Sequence, residues 1–241
     1  MKLRFYTFPP TGVPWPYLLV NPRNYKRLFK SQFEHALMDS GVLIFVDPKI
    51  KDYPKRFLKM YPYRAKTLTE IFKDRLWVTI PDLPDDYNPG QFGDNVEKTL
   101  ERIEEFLAFE GVNWLPVIQS RYLNRFSFLE SCKRTRDIIG NYPRVAIGTV
   151  CKCRNLDFIE YCCVTARRFF PKSWIHAFGL TLSALPKVAN YLNSFDSTAW
   201  TYPREPGKPS CKNLKDRKKY FRAYIDRINK ILEAISEKAE G

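Results

Sequence analysis

The chain has 241 residues and carries 40 Lys+Arg against 26 Asp+Glu, a formal net charge of +14. Hydrophobic residues make up 44% and charged residues 27%, a globular composition that excludes a disordered basic tail. The longest apolar run, Val42-Leu43-Ile44-Phe45-Val46, is far too short to cross a bilayer, and Met1–Arg4 runs into Pro9-Pro10 without the apolar core of a signal peptide. A soluble, intracellular (cytoplasmic) protein with no membrane partner is the expectation.

In chain order, short apolar runs bounded by turn residues predict strands at Leu3–Tyr6, Tyr17–Val20, Ala36–Met38, Leu76–Ile80, Leu115–Ile118, Val145–Thr149, Ile175–Phe178 and Ser194–Asp196. The first two are the least regular, because they flank the Pro9–Pro16 region. Helical periodicity falls between the later runs. Asp94 is a good N-cap for a helix reaching about Phe109, in which Val96, Leu100, Ile103 and Leu107 form one apolar stripe before Gly111 stops it. Leu123–Ile139, Asp157–Phe170 and Ala184–Leu192 behave alike. Tyr202–Ser210 is a Pro-rich linker, and Leu214–Ala239 predicts a long helix with Phe221, Ile225, Ile228, Leu232 and Ile235 on one side.

Strands that are continuously apolar and alternate with helices predict a parallel sheet covered by helices. Eight of them in about 200 residues favour a closed (β/α)8 TIM-type barrel over an open sheet. No Gly-rich phosphate loop follows any strand, which counts against a dinucleotide fold. Residues 1–203 read as the barrel, and 204–241 as the linker plus a basic C-terminal helix packed on it, a single domain overall.

The charge is uneven. Residues 76–111 hold 2 basic and 9 acidic side chains, most of the acids on one helix, whereas residues 204–230 hold 10 basic and 3 acidic. Basic surface interleaved with Tyr and Phe suits a polyanion, since cations neutralise phosphates and aromatic faces stack on unpaired bases. Lys215, Arg217, Lys218, Lys219 and Arg222 crowd the first turns of the last helix, where positive charge opposes the helix dipole, so a phosphate contact explains them better than stability does. Arg121 and Arg154 follow strand ends and are further candidates for phosphate contact. Cys132, Cys151, Cys153, Cys162, Cys163 and Cys211 lack CxxC spacing and read as reduced thiols rather than metal ligands. No metal or cofactor is expected.

In such a barrel function gathers at the C-terminal ends of the strands. Those ends read Asp39-Ser40-Gly41, Pro81-Asp82, Gln119-Ser120, Gly148-Thr149, His176-Ala177-Phe178-Gly179 and Asp196-Ser197. Carboxylates without a histidine cluster point to chemistry at a sugar carbon, one acid attacking or stabilising an oxocarbenium-like centre while another moves protons. His176 can orient a carboxylate or touch a phosphate, and a backbone-satisfied structural histidine fits as well. His35 reads as structural.

Asp39-Ser40-Gly41 and Phe195-Asp196-Ser197, with Gln119, Gly148 and His176–Gly179 in order between them, resemble the signature motifs of tRNA-guanine transglycosylases over roughly residues 36–200. The likeness leans to the divergent branch that inserts 7-deazaguanines into DNA. It implies exchange of guanine for a 7-deazaguanine base in DNA or tRNA, with Asp196 as nucleophile and Asp39 as general acid/base. It further implies that Asp82 and Gln119 hydrogen-bond the base, that Ser40, Gly41 and Gly148 line its slot, and that Phe45 stands in for the family's stacking aromatic. The family's zinc-binding cysteines and histidine have no counterpart after Asp196, which favours DNA. The family commonly pairs barrels, which implies a homodimer. A nucleic-acid-binding protein on a decayed barrel and an N-glycosidic hydrolase are the alternatives.

Overall fold

A computed structural model describes residues 3–201 and 213–240. The linker and Cys211 lie outside the described residues. Among the described residues there are nine strand segments: β1 Arg4–Tyr6, β2 Tyr17–Val20, β3 His35–Met38, β4 Leu76–Thr79, β5 Trp114–Leu115, β6 Val117–Ile118, β7 Arg144–Ile147, β8 Trp174–Ala177 and β9 Ser194–Asp196. Every pairing between them is parallel, in the orders β1-β9-β8-β7-β6 and β2-β3-β4-β5.

The two sheets join at both edges. Just past β1, the Thr7 N–H donates to Tyr17 O at 3.2 Å and Thr7 O accepts from Leu19 N at 2.7 Å, tying β1 to β2. β5 and β6 are one stave interrupted at Pro116, which has no N–H to give; β5 pairs with β4 and β6 with β7. Eight staves therefore form a ring, the α/β barrel expected from the alternation of apolar runs and helices. Tyr6, Tyr17, Leu37, Leu115, Val117 and Ala146 pack together inside it, while the larger core lies between staves and helices. At the N-terminal mouth the Arg4 guanidinium lies 4.4 Å from the Trp174 ring centre and that of Arg144 4.8 Å from Trp77. These stacked cations, held by the ring faces, plug that end. Beside them Tyr6 Oη lies 2.9 Å from His35 Nδ1, and burial pushes His35 down to about 3, so it stays neutral as a structural group.

The helices are α1 Lys55–Phe72, α2 Asn95–Leu107, α3 Arg125–Ile139, α4 Leu156–Phe169, α5 Leu185–Val188 and α6 Leu214–Glu240. Caps set the starts of three: Asp94, Asn124 and Asn155 accept from the backbone N–H of Glu97, Ser127 and Phe158. The sequence pattern placed α2, α3, α4 and α6 to within two residues at each end. It did not predict α1, whose stripe of Tyr61, Ala65, Leu68 and Phe72 is interrupted by Pro62. The stretch predicted as one helix over Ala184–Leu192 is a single turn, α5, followed by a 3-10 turn at Ala189–Tyr191.

No α-helix follows β1 or β2, and α6 covers that gap. Its Phe221, Tyr224 and Ile228 are buried, with Phe221 edge-on to Trp15 at 5.4 Å and to Trp200 at 5.3 Å, and Tyr224 5.6 Å from Phe5. Among the described residues no helix is long and apolar enough to cross a membrane.

Candidate active site

The C-terminal ends of the staves open into a cavity of about 1180 Å³. Asp39, Asp82, Gln119, Gly148 and Asp196 line it, together with Arg154, so the predicted rim residues do converge.

Two of the carboxylates have different surroundings. Asp39 closes a turn in which its Oδ1 accepts from Gly41 N at 3.1 Å, with Gly41 in the left-handed region at φ 91°. Burial, joined by the negative charges of Asp82 and Asp196, pushes Asp39 up to about 7. Asp196 instead receives two donors on Oδ1, from Gly179 N at 2.9 Å and from His176 Nε2 at 3.2 Å. Its Oδ2 has no hydrogen bond among the described residues. His176 is held in turn. Trp174 Nε1 donates to Ser194 Oγ at 2.8 Å, and Ser194 Oγ lies 2.9 Å from His176 Nδ1. The Asp196 carboxylate only accepts, so a neutral imidazole carries its proton on Nε2, facing Asp196, and Nδ1 is left to accept from the serine hydroxyl, which itself accepts from the indole N–H. His176 therefore orients the carboxylate rather than meeting a phosphate.

Asp82 lines the same cavity. Ser40 Oγ donates to its Oδ1 at 3.0 Å and Gln119 Nε2 to its Oδ2 at 2.5 Å, while burial raises its carboxyl. Tyr53 Oη donates to Ser40 Oγ at 2.9 Å and completes the chain. A Cβ on Gly148 would overlap the Gln119 amide, so the glycine makes room for that side chain. Gln119 Oε1 is buried with no hydrogen-bond partner among the described residues, an acceptor left beside the cavity. Ser40 is buried below the carboxylates and does not line the cavity.

Sequence reasoning missed other walls. Tyr87, Cys151 and Lys152 reach the cavity from the loops after β4 and β7; Trp200, Tyr220 and Arg227 reach it from beyond β9. The Lys152 ammonium lies 3.8 Å from the Tyr87 ring centre, and burial raises the Cys151 thiol well above its ordinary value. Phe45 is not a stacking platform: it is fully buried between Tyr53 and Phe92, and Val42 and Leu43 occupy the mouth instead. Of the predicted phosphate contacts, Arg121 stays outside the cavity, 61% exposed and 3.9 Å from Asp94. Lys215, Lys219 and Arg222 are exposed on α6, whereas Arg217 lies over the Trp200 ring at 5.7 Å and Lys218 approaches Gly12. Among the described residues no group of three or more His, Cys, Asp or Glu is arranged to hold a metal, and Cys132, Cys151, Cys153, Cys162 and Cys163 are free thiols.

Comparison with known proteins overturns the transglycosylase resemblance. No family model matches the chain, and no curated protein does. The motifs that carried the likeness have local explanations. Asp39-Ser40-Gly41 builds a left-handed turn at a stave end, and Ser197 Oγ accepts from Ala199 N at 3.2 Å to start the turn after Asp196. Among solved structures, one described as "Native KDPGal structure" shares 10% identity with a TM-score of 0.41, covering 92% of this chain and all of that one. A likeness at that level transfers no chemistry.

Proposed function

We propose that the chain is a pentosyl-transfer enzyme that breaks and remakes the N-glycosidic bond of a nucleotide within a nucleic acid. One observation carries the reading: two carboxylates face the same cavity, Asp39 raised by burial and Asp196 fixed through one oxygen by two donors. Asp196 Oδ2, the oxygen left free, attacks C1′ as the bond to the base breaks and its electron pair leaves with the base. Asp39, neutral up to about pH 7, gives its proton to that base. An incoming base returns a proton to Asp39, its nitrogen attacks C1′, and the Asp196 ester bond breaks. A covalent intermediate suits exchange, because the sugar stays held while the bases swap.

Asp82 and Gln119 together offer acceptors and an amide to a flat heterocycle edge, which supports a purine. The finer form of the proposal is guanine leaving and a 7-deazaguanine entering, in DNA or tRNA. The target base must leave its stack to reach the cavity.

Incubation with labelled guanine and with DNA and tRNA strands tests this. Asp196→Asn should lose roughly 10³-fold or more in exchange and the trapped protein–nucleic acid adduct. Asp39→Asn should slow exchange by roughly 10²- to 10⁴-fold. Exchange by Asp196→Ala at the wild-type rate would remove the mechanism. Release of free base without incorporation would assign hydrolysis to the same two carboxylates.

A further inference from the structure

We infer that the loop between β1 and β2 and the 3-10 turn Tyr25–Phe29 after β2, together with the first turns of α6, form a phosphate-binding rim that takes the backbone flanking the target nucleotide. It rests on the reading that the substrate is a nucleic acid. Three cations from two distant segments meet there. The Arg27 guanidinium stacks 3.4 Å from the Phe8 ring centre and donates from NH1 to Pro9 O at 3.3 Å. Arg217 covers the Trp200 ring, part of the cavity wall, and the Lys218 ammonium lies 3.7 Å from where a Gly12 Cβ would stand.

Among the described residues none of these cations has a carboxylate partner, and the neighbouring acid, Asp216, is taken by Asn213 Nδ2 at 2.6 Å. Arg27 also feels Arg217: burial and that second guanidinium both lower its proton affinity. Like charges brought together where the α6 dipole is also positive cost the fold stability, and an anion at this place relieves both. The two aromatic faces stack on the guanidinium planes, so the N–H groups other than the one Arg27 gives to Pro9 O point outward in plane for phosphate oxygens. Because Trp200 links the rim to the cavity, a strand whose sugar sits at Asp196 runs its phosphates across Arg217 toward Arg27.

The test reads binding of a short fluorescent single strand to the full chain carrying Asp196→Asn, so its outcome does not depend on whether exchange is found. Arg27→Gln, Arg217→Gln and Lys218→Gln together should weaken binding at least about tenfold at low salt and lower the slope of log affinity against log salt by about 2. The same charge loss at Lys133, Arg168 and Lys172, exposed cations on α3, in the last turn of α4 and just beyond it, should change affinity less than about twofold. Arg27→Lys with Arg217→Lys should retain the slope; if the triple variant melts early, Arg27→Gln alone should lower it by about 0.7. Equal losses from the two triple variants, or none from the first, would overturn the rim. So would displacement of the strand by millimolar inorganic phosphate, which would assign it to a free anion.

Discussion

At the scale of single residues, Asp196 owes its chemistry to groups it does not adjoin in sequence. Its Oδ1 is held by Gly179 N and His176 Nε2, and His176 is fixed by Ser194 and Trp174. Ser194→Ala removes the hydroxyl that holds Nδ1 and loosens the ring. The expected result is a roughly tenfold fall in kcat of exchange with KM little changed, and steady-state kinetics checks it. His176→Ala should cost more, since a donor to Asp196 is lost. An equal rise in KM would place both residues in binding instead. The stave-end acids and Gln119 were legible in the sequence, because each follows an apolar run. Their division of labour was not, since the proton affinity of Asp39 depends on burial and on two acids far along the chain.

At the scale of elements, amphipathic stripes with Asp or Asn caps made α2, α3 and α4 readable. α1 was missed because Pro62 interrupts its pattern. That proline removes an N–H that would bond the Leu58 carbonyl, and burial of Tyr61, Ala65, Leu68 and Phe72 outweighs the loss. Pro62→Ala should therefore stabilise the chain by about 1–3 kcal/mol, seen as a Tm several degrees higher in thermal melts. An unchanged or lower Tm would mean that the proline fits a kink the packing needs. α6 was legible as a helix, but its cavity-lining Tyr220 and Arg227 were not. Their role follows from where the helix lies, across the side of the barrel on which β1 and β2 lack helices.

At the scale of the whole molecule, several buried ionisable groups make stability depend on pH. Asp39 rises from 3.8 to about 7 on folding and Asp86 to about 6, so the folded state takes up protons that the unfolded chain does not. Their contribution is largest below about pH 4 and is lost as pH rises toward 7. His35 works the other way. Lowered from 6.5 to about 3, it favours unfolding as pH falls below 6.5. The two effects oppose each other in the wild type, and a difference measurement separates them. Asp39→Asn keeps the acceptor toward Gly41 N but cannot titrate, so its stability relative to wild type should rise from pH 4 to pH 7, by roughly 4 kcal/mol. Urea melts across that range test it; parallel pH profiles would show that Asp39 is not raised.

The sequence by itself determined the alternation of apolar runs and amphipathic helices, the eight staves, and the acids at their ends. Those are local properties, written in spacing and caps. Only the tertiary structure decided which acids share the cavity, which oxygen of Asp196 lacks a hydrogen bond among the described residues, and that a cation after β2 and cations of α6 approach the β1–β2 loop. Such properties depend on burial and on approach between segments nearly two hundred residues apart, which spacing along a chain does not encode. The same distinction explains the overturned resemblance. Short motifs around Asp, Ser and Gly satisfy the geometry of a stave end, so their order along a chain indicates barrel rims and does not establish ancestry.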